Sequence, residues 1–428
     1  MLSGTVIIQK ERRMRISVIG AGYVGLITGV CLAKLGNEVT LIEIDAQKVK
    51  ALNDRVPPIH EEGLAELMGQ VDMDVSSDHQ KSRHSEVIFI CAGTPSNEDG
   101  TVFLGHITAI SDQISKVLRS RGDYCVVVVK STVPPDTTEG IVVPILEKSG
   151  KKCGKDFGVC MSPEFLREGK AIYDFMNPAR LIVGECDKRS GDTFLRLYES
   201  FDAPILRTTL RTAEMIKLAS NAFLATKISF MNEIGNICKR LHIDVYDVAE
   251  GMGLDDRIGK KFLNAGIGFG GSCLPKDIRM LKTTAREVGY QPRFLDEVTN
   301  LNDQQAIRLV RLAKKHINLE GATIGLLGLA FKPGTDDVRD SRAIAVVKAL
   351  LGEQALVKAY DPLAVENFRK MFPNLDYVSK EEVLNCEAIL ILTEWEEFNE
   401  LDYRGKIVID GRRVARARDA RIYEGICW

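Results

Sequence analysis

Short apolar runs alternate with longer amphipathic stretches through the first half of the chain. The runs are rich in β-branched residues and span 16–19, 39–44, 87–91, 126–129, 158–161 and 181–183. Continuously apolar strands are typical of a parallel sheet, because helices cover both of its faces. The pattern therefore predicts a doubly wound α/β domain over residues 14–207.

The pattern changes between residues 208 and 315, where apolar residues recur at helical spacing. The stretch 213–241 is apolar over an arc too wide for a solvent-exposed helix, which indicates a long helix buried between domains or subunits. Beyond it, apolar runs at 323–329, 355–360, 388–392 and 407–409 predict strands again. We therefore expect the α/β class, in which a helical central domain at 208–315 joins two Rossmann-like α/β domains, the second at 316–428.

Composition excludes several classes of protein. The 428 residues include 57 Lys and Arg against 59 Asp and Glu, and this net charge of −2 is too balanced for a protein that binds nucleic acid through many phosphates. No apolar run reaches the roughly 18 residues that a membrane span needs. We therefore expect neither nucleic acid nor a membrane as a partner.

Cysteine and histidine usage predicts no metal site. The ten cysteines contain no C-x-x-C pair, and none of the six histidines lies at a metal-ligand spacing. Most cysteines should be reduced, buried and inert. Residues 1–13 lack the apolar core of a signal peptide, so we expect a frayed extension and a cytoplasmic protein.

A glycine-rich turn follows the first predicted strand and reads Gly20-Ala21-Gly22-Tyr23-Val24-Gly25. In a dinucleotide-binding fold the glycines allow a tight turn and close approach of a pyrophosphate, which faces a helix N-terminus. Glu43 ends the next apolar run, where a carboxylate would bind ribose hydroxyls and repel a 2′-phosphate. The pattern predicts NAD binding rather than a mere strand–helix turn. Asp45 is the competing acid, because alternation puts it on the same side of the strand.

A second glycine-rich segment contains a cysteine and reads Gly268-Phe269-Gly270-Gly271-Ser272-Cys273-Leu274-Pro275-Lys276-Asp277. Its glycines let the backbone approach a ligand, and a helix that starts here puts Cys273 and Asp277 on one face. The helix N-terminus and the nearby Lys276 would favour the thiolate, which is a nucleophile. The alternative is a buried structural cysteine, the role that we assign to the other nine.

Three polar residues interrupt the apolar central helix. Glu214, Lys217 and Asn221 follow i, i+3, i+7 spacing and share one face. A surface helix would turn such a stripe toward solvent. Since the neighbouring residues are mostly Ala, Leu, Ile, Phe and Met, the stripe favours a catalytic cleft instead.

These motifs closely resemble one family, the NAD-dependent sugar-nucleotide 6-dehydrogenases. The similarity covers nearly all of the chain from Met14 and includes GAGYVGL, CAGTPS, STVPP, PEFLREG, GFGGSCLPKD, GLAFKPGTDDVRDS and DGRR. The resemblance implies an N-terminal NAD-binding domain, a long helix at a homodimer interface and a C-terminal domain that binds the nucleotide of the sugar. It also implies a four-electron oxidation of C6 to a carboxylate, with two NAD and one water.

The resemblance also implies the catalytic roles. Cys273 is similar to the family's nucleophile, which forms a thiohemiacetal and then a thioester. Lys217 and Asp277 match residues that handle protons and the developing oxyanion, and Asn221 matches a partner of that oxyanion. Glu164, which follows a predicted strand, resembles a carboxylate that assists hydrolysis with a water held near Thr132.

The remaining matches concern binding. On the cofactor side they are Gly20, Gly22, Tyr23, Val24, Gly25, Glu43, Lys48, Thr94, Thr132, Glu168, Lys276 and Arg339. On the substrate side they are Glu164, Phe165, Leu166, Lys217, Asn221, Arg257, Phe269, Gly270, Gly271, Phe331, Lys332 and Arg412. The family often places the residue matching Arg257 across the interface from the neighbouring subunit, and we expect the same here.

Two branches of the family compete for the substrate. The cysteine segment and residues 424–428 resemble the GDP-mannose branch, whereas residues 251–259, 360–362 and 410–413 resemble the UDP-glucose branch. The second set weighs more, because Arg257 and Arg412 would meet the nucleotide sugar itself. We expect UDP-glucose, with GDP-mannose or another nucleotide sugar as the alternative.

Two other functions are weighed against this one. A hydroxy-acid dehydrogenase would oxidise its alcohol once and would need no nucleophile, and the glycine-flanked Cys273 and the second α/β domain argue against it. A non-enzymatic NAD sensor would need no catalytic residues, and the filled catalytic positions argue against that.

Overall fold

The structure, a computed structural model, describes residues 13–97 and 99–428. The extension predicted at residues 1–13 lies outside the described residues, apart from Arg13. The chain forms two compact units, of which one ends at Leu218 and the other covers Ala219–Trp428. Among the described residues, no helix is long and apolar enough to cross a membrane.

The first unit is built on one eight-stranded sheet. Its strands are β1 (Arg15–Ile19), β2 (Glu38–Ile42), β3 (Met73–Ser76), β4 (Val87–Ile90), β5 (Val126–Val129), β6 (Gly158–Met161), β7 (Leu181–Glu185) and β8 (Ile205–Thr208). They lie in the order β3-β2-β1-β4-β5-β6-β7-β8. Neighbouring strands are parallel except β6 and β7, which are antiparallel. The ends of β1, β2, β4, β5 and β6 therefore meet at one edge of the sheet.

Helices cover both faces of this sheet, namely α1 (Tyr23–Lys34), α2 (Ala46–Asn53), α3 (Leu64–Gln70), α4 (Gly105–Arg119), α5 (Val143–Glu147), α6 (Ala171–Met176) and α7 (Lys188–Leu195). Strand β5 shows the consequence for the sequence. Val126 and Val128 pack into the cluster that contains α1 and α7, while Val127 and Val129 pack into the cluster that contains α4 and α5. Both faces are buried, which explains the unbroken apolar runs.

The second unit combines four helices with a smaller sheet. The long α8 (Leu210–Arg240) begins in the first unit, and α9 (Val245–Gly253), α10 (Leu274–Glu287) and α11 (Arg293–Ala313) follow it. The sheet is entirely parallel, in the order β11-β10-β9-β12-β13-β14. Its strands are β9 (Thr323–Leu327), β10 (Leu356–Tyr360), β11 (Asp376–Tyr377), β12 (Ala388–Ile391), β13 (Ile407–Asp410) and β14 (Ile422–Gly425), with helices α12 (Arg342–Gly352), α13 (Val365–Arg369) and α14 (Lys380–Val383).

The helices and the second sheet share a core. Met231 of α8, Leu309 of α11 and Leu326 of β9 belong to one buried cluster. The prediction of two α/β regions with a helical region between them in the chain is confirmed.

The apolar pattern did not predict four of the strands, and all four lie at the edges of the two sheets: β3, β8, β11 and β14. Most of their residues are half-buried or exposed, so they show no continuous apolar run. The run predicted at 39–44 is also too long, because β2 ends at Ile42 and Ile44 is 79% exposed.

A buried carboxylate ties together the ends of two strands in the second unit. Asp361 follows β10 and is 3% exposed. Its Oδ2 accepts the N–H groups of Leu329 at 2.7 Å and Ala330 at 3.0 Å, just after β9, and the indole N–H of Trp395 at 3.1 Å. Its Oδ1 accepts two further backbone N–H groups. One side chain thus satisfies five donors at the carboxyl edge of the sheet.

Replacing Asp361 with Asn should lower the free energy of unfolding of the second unit by about 2–4 kcal/mol, because the amide leaves buried N–H groups without an acceptor. Both tryptophans, Trp395 and Trp428, lie in this unit, so their fluorescence during urea unfolding reports on it selectively. The control is Asp376→Asn, which removes an exposed carboxylate 3.6 Å from Lys358 and should cost less than about 0.5 kcal/mol. Equal losses in the two variants would contradict the structural role of Asp361.

Candidate active site

The glycine turn after β1 needs its glycines. Gly20 has φ +99°, and a Cβ there would lie 2.7 Å from the carbonyl oxygen of Cys91. A Cβ on Gly25 would clash with the carbonyl of Gly20, so α1 packs directly on the turn. Gly22, the N-cap of α1, faces open space and has no side chain to cap the helix. The free first-turn N–H groups beside that space fit a pyrophosphate.

Glu43 lies against this turn. It is buried, and its Oε2 accepts the N–H of Ala21 at 2.9 Å, while Oε1 accepts the N–H groups of Ile44 and Asp45. Asp45 instead caps α2, where its Oδ1 accepts the N–H groups of Gln47 and Lys48. The two candidate acids thus have different tasks, and Glu43 is the one next to the glycine turn.

Tyr23, in the first turn of α1, is held by a carboxylate that the sequence analysis missed. Its hydroxyl donates to Glu61, which is buried and also accepts the N–H groups of Gly169 at 2.7 Å and Ala171 at 2.6 Å. Burial, with help from Glu61, raises the pKa of Tyr23. Glu61 therefore fixes the loop that contains Glu168 against the start of α1. Nothing in its surroundings in the sequence marks it, because it lies in a polar stretch between helices.

The loops after β4 and β5 are joined by two threonines. The hydroxyl of Thr94 donates to the carbonyl oxygen of Thr132 at 2.8 Å. Thr94 is buried and Thr132 is half-buried. Both predicted residues therefore lie together at the carboxyl edge of the sheet, the edge that also carries the glycine turn.

A buried ion pair follows β6. The Nζ of Lys217 lies 2.9 Å from Oε1 of Glu164, and the two side chains are 4% and 7% exposed. Burial alone would raise the pKa of Glu164. The Lys217 ammonium and the N–H of Leu166 outweigh burial and hold that pKa below its ordinary value. Phe165 shields the pair, since its ring centroid lies 5.3 Å from the Lys217 ammonium.

A third charged side chain, missed by the sequence analysis, lies beside this pair. Lys130 directly follows β5, is 6% exposed and interacts electrostatically with Glu164 and Lys217. Burial lowers the pKa of Lys130, whereas the charge of Glu164 acts in the opposite direction. The signal in the sequence was a lysine directly after a fully apolar strand, which indicates a buried charge.

Glu214 has a different task from the one predicted. It shares a face of α8 with Lys217, but it is fully buried, and its carboxylate accepts the N–H groups of Asp136 and Thr138, each at 2.7 Å. Burial raises the pKa of Glu214 to about 7. It fixes the turn after Thr132 and does not belong to a catalytic stripe, so this part of the prediction is wrong.

The second unit contains a buried cluster around Asp277. The side-chain amide of Asn221, on α8, donates to Oδ2 of Asp277 at 2.6 Å, and the Lys276 ammonium lies 2.7 Å from Oδ1. Asp277 is 1% exposed and Asn221 is 7% exposed. Asn221 therefore does not face solvent, and a buried carboxylate is held by one amide and one ammonium.

Cys273 lies at the N-cap of α10 and is exposed. The N–H of Asp277 donates to its carbonyl oxygen at 2.9 Å, in the first turn of the helix. The hydroxyl of Ser272 lies 3.5 Å from its sulfur. The partial positive charge of a helix N-terminus favours a thiolate at this position. An accessible sulfur beside buried Asp277 has the surroundings of a nucleophile.

The backbone before Cys273 is packed too closely for any residue but glycine. A Cβ on Gly270 would lie 2.4 Å from the carbonyl oxygen of Asp340, and one on Gly271 would lie 2.7 Å from the ring of Phe331. Asn302, buried on α11, clamps Phe269 by accepting its N–H at 2.7 Å and donating to its carbonyl at 3.1 Å. Asn302 was also missed, although it is a polar residue on the buried side of a helix.

Three predicted binding residues lie near this loop or the segment that precedes it, namely Arg339, Lys332 and Arg412. The N–H of Gly271 donates to the carbonyl of Arg339, whose guanidinium pairs with Asp337. The Lys332 ammonium lies 5.6 Å from the ring of Phe331. Arg412 donates to the carbonyl of Leu392 at 2.9 Å, and a Cβ on Gly266 would lie 3.6 Å from its guanidinium.

Two predicted residues stand apart from these clusters. The Arg257 side chain is 89% exposed and pairs with Asp255 at 2.6 Å. Lys48 is half-buried on α2, where its backbone N–H is capped by Asp45. In residues 13–97 and 99–428, no group of three or more His, Cys, Asp or Glu could hold a metal ion.

The prediction that the other nine cysteines are buried is wrong for two of them. Seven are buried and Cys153 is half-buried, but Cys186 is exposed. A hydrogen bond from Cys153 lowers the pKa of the Cys186 thiol. Cys186 follows the antiparallel β7, whose position in the sheet the sequence pattern did not indicate.

The glycine turn with Glu43 and the exposed Cys273 at a helix N-terminus define an NAD-dependent dehydrogenase with a cysteine nucleophile. Three family models match the chain, described as the NAD binding, central and UDP binding domains of the UDP-glucose/GDP-mannose dehydrogenase family, at residues 14–202, 211–304 and 325–417. The chain belongs to the UDP-glucose/GDP-mannose dehydrogenase family, and its cofactor is NAD.

Individual proteins agree with the family models. The chain is 42% identical to a UDP-glucose 6-dehydrogenase of Haloferax volcanii, over 96% of this chain and 100% of that protein. It is 41% identical to one from Bacillus subtilis, over 94% and 89%. A solved UDP-glucose dehydrogenase from Pyrobaculum islandicum superposes with a TM-score of 0.95 at 39% identity, over 99% of this chain and 100% of that chain.

Glu43→Ala should raise the Kd for NAD at least about tenfold, because a charge-assisted hydrogen bond contributes roughly 1.5–3 kcal/mol. The variant should also lower the ratio of the Kd for NADP to the Kd for NAD. The matched control is Asp45→Ala, which removes the cap of α2 and costs about 1 kcal/mol of stability, yet should leave the Kd for NAD within about twofold. Calorimetric titration of both variants measures the difference. A larger effect at Asp45 would make Asp45 the ribose-binding acid.

Proposed function

We propose that this chain oxidises C6 of UDP-glucose to the carboxylate of UDP-glucuronate, consuming two NAD and one water and releasing two NADH and three protons. The observation that carries the proposal is the exposed sulfur of Cys273 at the N-terminus of α10, next to buried Asp277. A single oxidation of an alcohol needs no such nucleophile, whereas retention of an aldehyde between two oxidations does. GDP-mannose or another nucleotide sugar is the alternative substrate.

Bound NAD accepts a hydride from C6 in each of the two oxidations. The residues that would hold it are Gly20, Gly22, Tyr23, Val24, Gly25, Glu43, Lys48, Thr94, Thr132, Glu168, Lys276 and Arg339. The open space at Gly22 and the Glu43 carboxylate support this assignment. Lys48 lies on α2, where its backbone N–H donates to Asp45.

The residues of the second unit act on the aldehyde carbon. The Cys273 thiolate adds to the carbonyl, and the oxygen takes a proton, which gives a thiohemiacetal. Loss of the hydride and of that proton gives a thioester, and attack by water breaks the carbon–sulfur bond and returns the thiolate. Asp277 would hold the departing proton, and the hydrogen bonds that Asn221 and Lys276 donate to it support this role.

Lys217 and Glu164 of the first unit act through their buried ion pair. A preorganised ammonium in a site shielded from water stabilises an oxyanion without reorganisation. Glu164 stays ionised because Lys217 holds its pKa low, so it can accept a proton from the water that hydrolyses the thioester. Lys130 adds a second cation next to Glu164 and favours the same ionised state.

For the sugar nucleotide we propose contacts with Glu164, Phe165, Leu166, Lys217, Asn221, Arg257, Phe269, Gly270, Gly271, Phe331, Lys332 and Arg412. The close packing of Gly270 on Asp340 and of Gly271 on Phe331 fixes the loop that leads to Cys273. Arg412 offers a guanidinium fork that matches a pyrophosphate. This set favours UDP-glucose, because Arg257 and Arg412 belong to segments similar to the UDP-glucose branch.

We further propose that the chain forms a homodimer through α8, with Arg257 reaching the neighbouring subunit. Phe223, Phe230, Ile237 and Leu241 recur every four to seven residues on one side of the helix and are 46–64% exposed. Arg257, with its highly exposed side chain, follows the exposed Leu254. Ten free thiols support a reducing, cytoplasmic location. The two sheets and the helices between them in the chain support domains at 14–207, 208–315 and 316–428.

Cys273→Ser should bind NAD and UDP-glucose but stop after partial oxidation, because an alkoxide is a poorer leaving group than a thiolate. Wild type should form two NADH per UDP-glucose, measured by absorbance. The matched control is Cys186→Ser, which removes the other exposed thiol and should keep full turnover. Full turnover by Cys273→Ser would remove the cysteine from the mechanism. A higher kcat/KM for GDP-mannose than for UDP-glucose would overturn only the substrate assignment.

Arg257→Ala should raise the KM for UDP-glucose at least about tenfold and change kcat little, because loss of a bidentate charge pair weakens binding. If Arg257 acts across a dimer interface, mixing this variant with Cys273→Ala should raise the rate at UDP-glucose concentrations below the raised KM, through hybrid dimers that contain one intact site. Arg416→Ala, an exposed arginine paired with Asp419, is the control and should change neither constant. A mixture that keeps the KM of Arg257→Ala would place Arg257 in its own subunit's site.

A further inference from the structure

A large cavity in the second unit is lined mainly by cationic side chains. Its volume is about 820 Å³, and it lies between the C-terminal part of α8, the second half of α11 and β14. This volume lies within the roughly 300–1,000 Å³ of small-molecule sites. Along α8 it begins at Asn236, fifteen residues after Asn221, which corresponds to about 22 Å of helix. The cavity is therefore separate from the Cys273 cluster.

The charges of this cavity are unbalanced. Five cations line it, namely Lys239, Arg240, Arg308, Arg311 and Lys315, together with His242, and Glu424 is its single carboxylate. Glu424 is already paired with Lys239 at 3.0 Å and with His316 at 2.8 Å. In the described part of the chain, Arg240 and Arg311 form no ion pair.

The C-terminal ends of two helices compensate only part of this positive charge. Both α8 and α11 end beside the cavity, and each C-terminus supplies about half a negative charge, which stabilises a cation in the last turn. Lys239 also donates to the main-chain oxygen of Trp428 at 3.1 Å. After Glu424, both helix ends and the carboxylate of Trp428 are counted, an excess of about two positive charges remains. Like charges gathered in one concave site repel each other, so a multiply charged anion would relieve this repulsion.

The arrangement on α11 favours an elongated anion. Gln304, Arg308 and Arg311 follow i, i+4, i+7 spacing and form one row along the helix, and Lys315 lines the same cavity two residues beyond its end. From Gln304 to Arg311 the row extends about 10 Å. Arginine forks bind phosphate oxygens in pairs, which a point charge does not do. Leu301 and Leu312 give the cavity an apolar part as well.

We propose that this cavity is a second binding site, specific for a small polyphosphate such as inorganic triphosphate or the phosphate chain of a nucleoside triphosphate. The row on α11 would contact successive phosphates, and Arg240 would approach from α8. Among the cavity residues of α8, Lys239 lies about half a turn away from Phe230 and Ile237 at 3.6 residues per turn, whereas Asn236 and Arg240 lie closer to that side of the helix.

The test is a calorimetric titration of the full-length chain with sodium triphosphate, with ATP in a second arm. Arg311→Ala should weaken triphosphate binding at least about tenfold, because it removes a charge-assisted hydrogen-bond donor for the phosphate oxygens. The matched control is Arg293→Ala, another exposed arginine of α11 that lies outside the cavity, and it should change the Kd less than about twofold. Tighter binding of ATP than of triphosphate would identify a nucleoside polyphosphate as the ligand.

Further variants keep the result unambiguous. Lys315→Ala removes the cavity's cation just beyond α11 and should also weaken binding, while Arg311→Lys should restore part of it. Arg412→Ala should leave this affinity unchanged, and oxidation of UDP-glucose should persist in Arg311→Ala. Equal weakening by Arg311→Ala and Arg293→Ala, dependence on Arg412 instead of Arg311, or no binding by wild type would each overturn the proposal.

Discussion

The buried pair of Lys217 and Glu164 is the physical constraint on which the proposed chemistry of the first unit depends. Two charges that leave water lose several kcal/mol of hydration each, so they persist in an interior only when each has a partner. At 2.9 Å each is the partner of the other, and the Leu166 N–H satisfies a second carboxylate oxygen. This loss of hydration free energy is compatible with a site whose fixed charges stabilise a reaction without rearranging.

The same constraint operates in the second unit with different groups. Asp277 is more deeply buried than Glu164, and its two oxygens are satisfied by the Asn221 amide and the Lys276 ammonium. Each buried carboxylate thus has one ammonium partner, at 2.7 Å for Asp277 and 2.9 Å for Glu164, and its other oxygen accepts from a neutral N–H group. The two units therefore satisfy a buried carboxylate by the same combination of one cation and one neutral donor.

Central parts of the fold and site could be predicted because their physical causes are local. Strands buried on both faces show as unbroken apolar runs, and the glycine turn shows as a spacing with an acid at a fixed distance. The four edge strands could not be found this way, since half of their surface meets solvent. Lys130, Glu61 and Asn302 were missed because their tasks depend on partners far away in sequence, which no local pattern records.

Glu214 shows the limit of pattern reasoning on a helix. Spacing correctly predicted that Glu214 and Lys217 share a face of α8, but a shared face does not fix a shared task. The Glu214 carboxylate meets two backbone N–H groups of the turn after Thr132, whereas the Lys217 ammonium, one turn further along, meets Glu164. By holding the turn that follows Thr132, Glu214 serves the site as a positioning residue. A polar residue in an apolar helix therefore predicts a buried partner, and the nature of that partner decides whether the residue supports the fold or takes part in the chemistry.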